Sequence, residues 1–316
     1  MHGTFFMVEV NLSVIFASRA GLASYGVDFF WASIRSNLAK LYRSLMAIAP
    51  ESHPRSANND RLRWRRGVQN EFTRTNLDDL AAGAIPAIYL TSFLDGPAVY
   101  AFREFFGRCA REFYKEVVPQ IVKYGPSVFE HVFTARQHYF TQARVAENLV
   151  SSIWNNISSP LDHLRDCLVE DCGLVACHAS DAAFGPYFAG TLRSIEEGTP
   201  VHIDFAPHES PGWEMISSVS AQLAANVYLE APANPGNLVI YEKLWTLEDE
   251  WHRLDNRFGY DDAVVYGVPF EIITPVEGAL VLFNSRFFHR VEATRSSRLT
   301  YSFFLGFHTG KIIFWS

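Results

Sequence analysis

Cysteine is scarce: the 316-residue chain has four, Cys109, Cys167, Cys172 and Cys177. So few in so long a chain exclude a disulfide framework, and a reducing cytosol is the expected compartment. Three of them sit five residues apart in "DCLVEDCGLVAC", which is not the close-pair spacing of a zinc site. They are expected as reduced thiols packed around a helix end. Long apolar runs are missing too. No stretch reaches 18 clean apolar residues, and the apolar N-terminal patches lack early positive charge and are broken by Glu9. No signal peptide, transmembrane helix or membrane partner is therefore expected. Positive charge is in deficit: 27 Lys+Arg against 34 Asp+Glu give a formal net charge of -7, which argues against a nucleic-acid partner. The main basic cluster, "RLRWRR" at 61–66, reads as a solvated surface segment.

Apolar and aromatic residues are abundant. Hydrophobic residues make up 48% of the chain, with 26 Phe, enough for a large core or a deep apolar pocket. Residues 1–75 read as a helical extension and linker. "FFWASIRSNLAKLYRSLMAIA" repeats apolar residues at helical steps up to Pro50, and a polar loop follows. Residues 76–316 read as one domain, with helical support over 76–180 and a β-rich core over 185–316. In the support, a short helix and the strand "AIYLTSF" lead into a helix expected from Pro97 to about Lys123, with more helix through 127–170, broken near Pro160. From Gly185 onward, eight short β-rich runs alternate with Gly, Pro and Asn turns, from "YFAGTLRSI" and "PVHIDF" to "RLTYSFFLGFH". That spacing predicts an α+β protein with a jelly-roll core and a helical N-terminal half packed on it.

The chemistry concentrates in "GTPVHIDFAPHE". Residues i and i+2 of a strand share a face, so His202 and Asp204 project together while Ile203 points away. H-x-D alone is a weak signal. His289, in "LVLFNSRFFHRVEAT", supplies a second imidazole, and Arg298 follows nine residues on at the head of another strand. Two His and one carboxylate form the facial set of non-haem Fe(II) oxygenases, which leaves open positions for a 2-oxo acid and O₂. Arg298 is then a fork for the distal carboxylate of that acid, and Thr300, two residues on, adds a hydroxyl on the same face. His208 and Glu209 read as loop residues, and His252 and Asp255 as a solvated helical stretch. His131, His138, His163 and His178 fall in the helical half without a carboxylate at strand spacing. Arg193 has two readings, a substrate contact or a solvent-facing strand residue.

At these residues the chain resembles the Fe(II)/2-oxoglutarate-dependent oxygenase superfamily. Within it, "TLRSIEEGTPVHID", "GNLVIYEKLW", "GALVLFNSRFFHRV" and "KIIFWS" resemble the freestanding, carrier-independent halogenases of the hapalindole/welwitindolinone type and their hydroxylase relatives. The resemblance covers roughly 185–316 and implies a double-stranded β-helix (cupin-like) core. It implies Fe(II), 2-oxoglutarate as cosubstrate, and O₂. The halogenases carry Gly where Asp204 stands here, which opens a position for chloride. Asp204 therefore implies hydroxylase-type chemistry on an aliphatic C–H of a small, largely apolar metabolite, with desaturation or cyclisation as variants, in natural-product biosynthesis. The rival readings are a cupin-type metal oxygenase that does not use 2-oxoglutarate, and a non-catalytic jelly-roll binding module. The segments 205–216 and 246–268 are expected as lids beside the site. Oligomeric state is left open.

Overall fold

The computed structural model describes residues 64–316 apart from 116, 154–158, 235 and 256. The chain divides into two compact units, Met1–Ser52 and His53–Ser316. The helix expected before Pro50 lies outside the described residues, and every described element belongs to the second unit. No helix among the described residues is long and apolar enough to cross a membrane.

The described part of this unit starts at Trp64, edge-on against Phe287 with ring centroids 5.6 Å apart. The Arg65 and Arg66 guanidiniums pair with Asp79, so this end of the basic cluster is tied to the first helix. That helix is α1 (Arg74–Ala81), capped by the Thr73 side chain accepting from the Asn76 N–H. Strand β1 (Ala87–Leu90) follows, then α2 (Gly96–Arg108), with Asp95 as N-cap and Pro97 in the first turn. The expected helix to Lys123 stops here. Cys109 turns to extended backbone just past Gly107, and β2 (Glu112–Phe113) and β3 (Val122–Tyr124) pair antiparallel instead. This pair adds an edge to the main sheet rather than a further turn of helix. Helices α3 (Arg136–Ser151) and α4 (Pro160–Glu170) complete the support. Cys167 lies on α4 and Cys172 just beyond its end, and all four cysteines are free.

The remaining strands are β4 (Ala176–His178), β5 (Ser180–Asp181), β6 (Gly185–Pro186), β7 (Thr191–Ser194), β8 (Ala221–Glu230), β9 (Leu238–Leu244), β10 (Phe270–Ile273), β11 (Leu280–Asn284), β12 (Phe287–Val291), β13 (Leu299–His308) and β14 (Lys311–Trp315). The major sheet runs β1-β11-β8-β13-β7-β3-β2, with β14 on β13 and β4 parallel to β14. The minor sheet is β10-β9-β12. Alternation along β8 and β13 shows how the layers are built. Leu223, Ala225, Val227, Leu229, Leu299, Tyr301, Phe303 and Leu305 join Leu77, Leu80, Phe102 and Leu164 in one core beneath the helices. Ala224 and Tyr228 turn the other way and pack with Leu238, Ile240, Phe283 and Phe287, between the sheets. Both faces of the major sheet are thus buried, which is why its strands read as near-continuous apolar runs. The polar residues that interrupt the inner face mark the site.

Candidate metal centre

Three ligand-type side chains meet where the minor sheet faces the major one. A nitrogen from each of His202 and His289 and an oxygen from Asp204 all lie within 4.8 Å of one another, and this is the only such group of three or more among the described residues. His289 is on β12. His202 is not on a regular strand: the expected strand "PVHIDF" reduces to two isolated bridges, Val201 with Tyr260 and His202 with His289. Pro200 has no N–H to extend a ladder, and Asp204 leaves the sheet, since α5 (Ala206–Glu209) starts two residues later. The same-face geometry survives because the His202–His289 pair exchanges two backbone hydrogen bonds, each 2.9 Å. Asp204 is fixed separately. Its N–H donates to the Ser285 carbonyl at 2.9 Å. Its own carbonyl accepts from Ser285 Oγ at 2.7 Å and Gln222 Nε2 at 3.0 Å.

The imidazoles are oriented for ligation. His202 Nδ1 lies 2.9 Å from the Pro200 carbonyl and His289 Nδ1 2.8 Å from the Phe287 carbonyl. A carbonyl only accepts, so each Nδ1 carries the proton and each Nε2 presents a lone pair. His289 Nε2 stands 3.5 Å from Asp204 Oδ2. Burial, then the neighbouring His289, pushes His202 down to about 3, so it is neutral at pH 7. Burial alone would raise Asp204. The His289 contact and the charges of His202, His289 and Arg193 outweigh it and hold the carboxyl at about 2. Two imidazoles and a carboxylate suit a divalent cation of the Fe(II) kind. Phe258 lies 4.8 Å from the His202 ring and Phe283 4.8 Å from the His289 ring, walling the cluster with aromatic surface.

A cavity joins this cluster to Arg298 and Thr300. Arg298 is 1% exposed, donates from Nε to the Gly236 carbonyl at 2.9 Å, and lies over the Tyr228 ring at 5.1 Å. It forms no ion pair with any carboxylate of the described residues, and burial pushes its pKa below the usual value. A buried guanidinium without a counter-ion is costly unless an anionic ligand completes it. That is the observation that fits a carboxylate-bearing cosubstrate to this chain. Thr300 accepts from Ser302 Oγ at 3.0 Å, so its own proton is free to be donated into the cavity.

The model of the family described as carrier-protein-independent halogenase WelO5 matches residues 69–316. The chain belongs to that family. Members of this WelO5 family are Fe(II)/2-oxoglutarate oxygenases, as the sequence resemblance implied. The chain is 27% identical over 256 residues to the L-gamma-glutamyl-L-propargylglycine hydroxylase of Streptantibioticus cattleyicolor, covering 78% of this chain and 93% of that protein. It is 36% identical over 128 residues to leucinostatins biosynthesis cluster protein S of Purpureocillium lilacinum; the match spans 38% of this chain and about half, 52%, of that protein. The N-substituted L-amino acid dioxygenase of Burkholderia ambifaria AMMD shares the fold, with a TM-score of 0.53 and 14% identity over 77% of this chain and 91% of that one. The double-stranded β-helix core is thus the family's own.

The other histidines stay apart from the cluster. His208 Nε2 lies 3.3 Å from Glu250, and His178 Nδ1 lies 3.2 Å from the Tyr187 carbonyl. The stretch around His252 is a partly exposed 3-10 helix (Leu247–His252), in keeping with its helix-like, charged sequence. Arg253 just beyond reaches Glu209 at 3.3 Å, Glu250 at 3.5 Å and the Tyr260 hydroxyl at 3.0 Å, tying the two expected lid segments together. Arg193 is half-buried and lines the cavity. Asn226, Ser302 and Tyr114 also line it. Ser302 was legible by strand alternation from Thr300; Tyr114 carried no signal, because its segment reads as helix.

Proposed function

We propose that this family member is an Fe(II)/2-oxoglutarate-dependent dioxygenase of hydroxylase type, acting on an aliphatic C–H of a small metabolite in natural-product biosynthesis. Asp204 carries the reading: a third protein ligand stands beside the two imidazoles, in the position that chloride needs in a halogenase. His202, His289 and Asp204 hold the metal, each ring with its Nδ1 proton committed to a carbonyl. Arg298 pairs the distal carboxylate of 2-oxoglutarate, and the Thr300 hydroxyl donates to the same group. Bound Fe(II) with 2-oxoglutarate and O₂ supplies the oxidant that takes hydrogen from an unactivated carbon; hydroxylation is the expected outcome, with desaturation or ring closure as variants. Phe129, Phe258, Val117 and Ile121 line the cavity's apolar wall, exclude water and position the substrate carbon. The hydroxylase relative of Streptantibioticus cattleyicolor supports the same direction. The unpaired, buried Arg298 speaks against a cupin-type oxygenase that needs no 2-oxo acid, and against a non-catalytic module. Free cysteines fit a cytoplasmic setting.

Anaerobic addition of Fe(II) and then 2-oxoglutarate tests the reading. A weak visible charge-transfer band that needs both components, and succinate release on admitting O₂, are expected. A protein that binds Fe(II) but shows neither band nor succinate would sink it.

A further inference from the structure

The cavity holds a second guanidinium without a counter-ion. Arg193 stands on β7 directly opposite Thr300 of β13. Residues opposed across an antiparallel pair project from the same face, so Arg193 enters the cavity on the side of Thr300, while Leu192 and Tyr301 turn to the core beneath the helices. Its Nε is fully buried with no hydrogen-bond partner. It forms no direct ion pair with a carboxylate of the described residues; its charge acts on Asp204 across the cavity, and its guanidinium lies over the Tyr114 ring at 5.7 Å.

Its neighbour shows the contrast. Lys123, opposite Arg193 on β3, is neutralised by Glu130 at 2.9 Å and Glu112 at 3.4 Å. Of the two cations on this edge, only the one lining the cavity is left open. Asp204 shares the cavity but is committed to His289 at 3.5 Å. A guanidinium held against a tyrosine ring, with its Nε unused, suits a bidentate anion.

We propose that Arg193 anchors a carboxylate of the substrate, so that the enzyme takes a small organic acid with an apolar body rather than a neutral hydrocarbon-like metabolite. This rests on the proposed function, in which Arg298 is occupied by the cosubstrate. Around the cavity, Tyr114, Val117, Ile121, Phe129, Ile195 and Phe258 offer surface to the apolar part. With the acid held at Arg193, the carbon presented to the metal belongs to the chain extending from that carboxylate.

The test uses the anaerobic Fe(II)–2-oxoglutarate complex of the full chain. Three acids are titrated beside their primary amides: octanoate, N-acetyl-L-leucinate and 3-(indol-3-yl)propionate. Binding is read by calorimetry and by perturbation of the charge-transfer band. At least one acid is expected to bind roughly tenfold to a hundredfold more tightly than its amide, the range of a charge-assisted hydrogen bond. Arg193→Gln should erase that preference, Arg193→Lys should keep part of it, and both should leave 2-oxoglutarate affinity within about twofold. Equal binding of acids and amides, or no acid binding at millimolar concentration, overturns the proposal. Loss of 2-oxoglutarate binding in Arg193→Lys overturns it too, by making Arg193 a cosubstrate anchor. Failure of the wild-type complex to bind 2-oxoglutarate at all would instead refute the proposed function.

Discussion

Replacing Arg298 by Gln separates a ligand-binding cation from a structural one. In the free protein the guanidinium is 1% exposed and has no carboxylate partner among the described residues, so removing the charge relieves a desolvation cost. Against that stand the hydrogen bond to the Gly236 carbonyl, worth about 1 kcal/mol, and the stacking on Tyr228, worth about 0.5–2 kcal/mol. The effects nearly cancel, and the free variant should melt within about 4 °C of wild type. Cosubstrate binding responds very differently. Two charge-assisted hydrogen bonds to a carboxylate are worth roughly 3–6 kcal/mol, so Kd for 2-oxoglutarate should rise about 10²- to 10⁴-fold. At one hundred times its own Kd, 2-oxoglutarate stabilises the wild type by about 2.7 kcal/mol, a rise of roughly 5–11 °C that the variant should lose. Differential scanning fluorimetry with and without cosubstrate, under nitrogen with Fe(II), reads both quantities. A variant that keeps the ligand-induced rise, or that melts about 10 °C lower without ligand, refutes the assignment.

Asp204→Gly should weaken Fe(II) binding and open one position, so that added azide gives a new charge-transfer band absent from the wild type; no azide band, with Fe(II) affinity unchanged, would show that Asp204 is not a ligand. Arg253→Met should cost about 2 kcal/mol, less than a fully buried pair because Arg253 is 28% exposed against 12% for Glu209. Hydrogen exchange should quicken in 205–216 and 246–268 together, and quickening in one alone would show that Arg253 does not couple them. His131 is buried, and burial, then His138, pushes it down to about 4. Its folded-state pKa lies below its unfolded one, so the unfolded chain takes up the proton first and stability falls as pH drops from about 6.5 toward 4. Between pH 7 and pH 5 that amounts to about 2 kcal/mol. His131→Leu should flatten this part of the melting-temperature profile, and an unaltered pH slope would remove His131 as its source.

The chemistry of the centre was legible because it depends on residue type and spacing. H-x-D, a later His and an Arg nine residues beyond are visible without coordinates, and the structure brings the three candidate ligands together. The secondary structure around them was less legible. "PVHIDF" alternates like a strand, yet its only pairings are bridges to Tyr260 and His289, partners 59 and 87 residues away (260−201; 289−202). Periodicity reports a local preference and not the presence of a partner. The segment after Arg108 reads as helix on the same grounds, but it supplies β2 and β3, and with them Tyr114 on the cavity wall. Arg193 was ambiguous for a related reason: the face of a strand residue is decided by its neighbours in the sheet, here Thr300 and Lys123. The N-terminal helix falls outside the described residues.

Asp204 is held by a different set of attachments from the histidines. His202 and His289 hold each other through paired backbone hydrogen bonds, whereas Asp204 is tied to Ser285 and Gln222 through its own main-chain N–H and carbonyl. Glycine in its place would keep that N–H and that carbonyl, and the main-chain bonds that fix the segment would still form, with only the carboxylate contact to His289 lost. On the proposed function, Asp204→Gly therefore vacates the third coordination position without disturbing the sheet register. On that reading, the choice between oxygen transfer and transfer of another ligand is an exchangeable part, separable by a single substitution from the architecture that would hold the metal and cosubstrate.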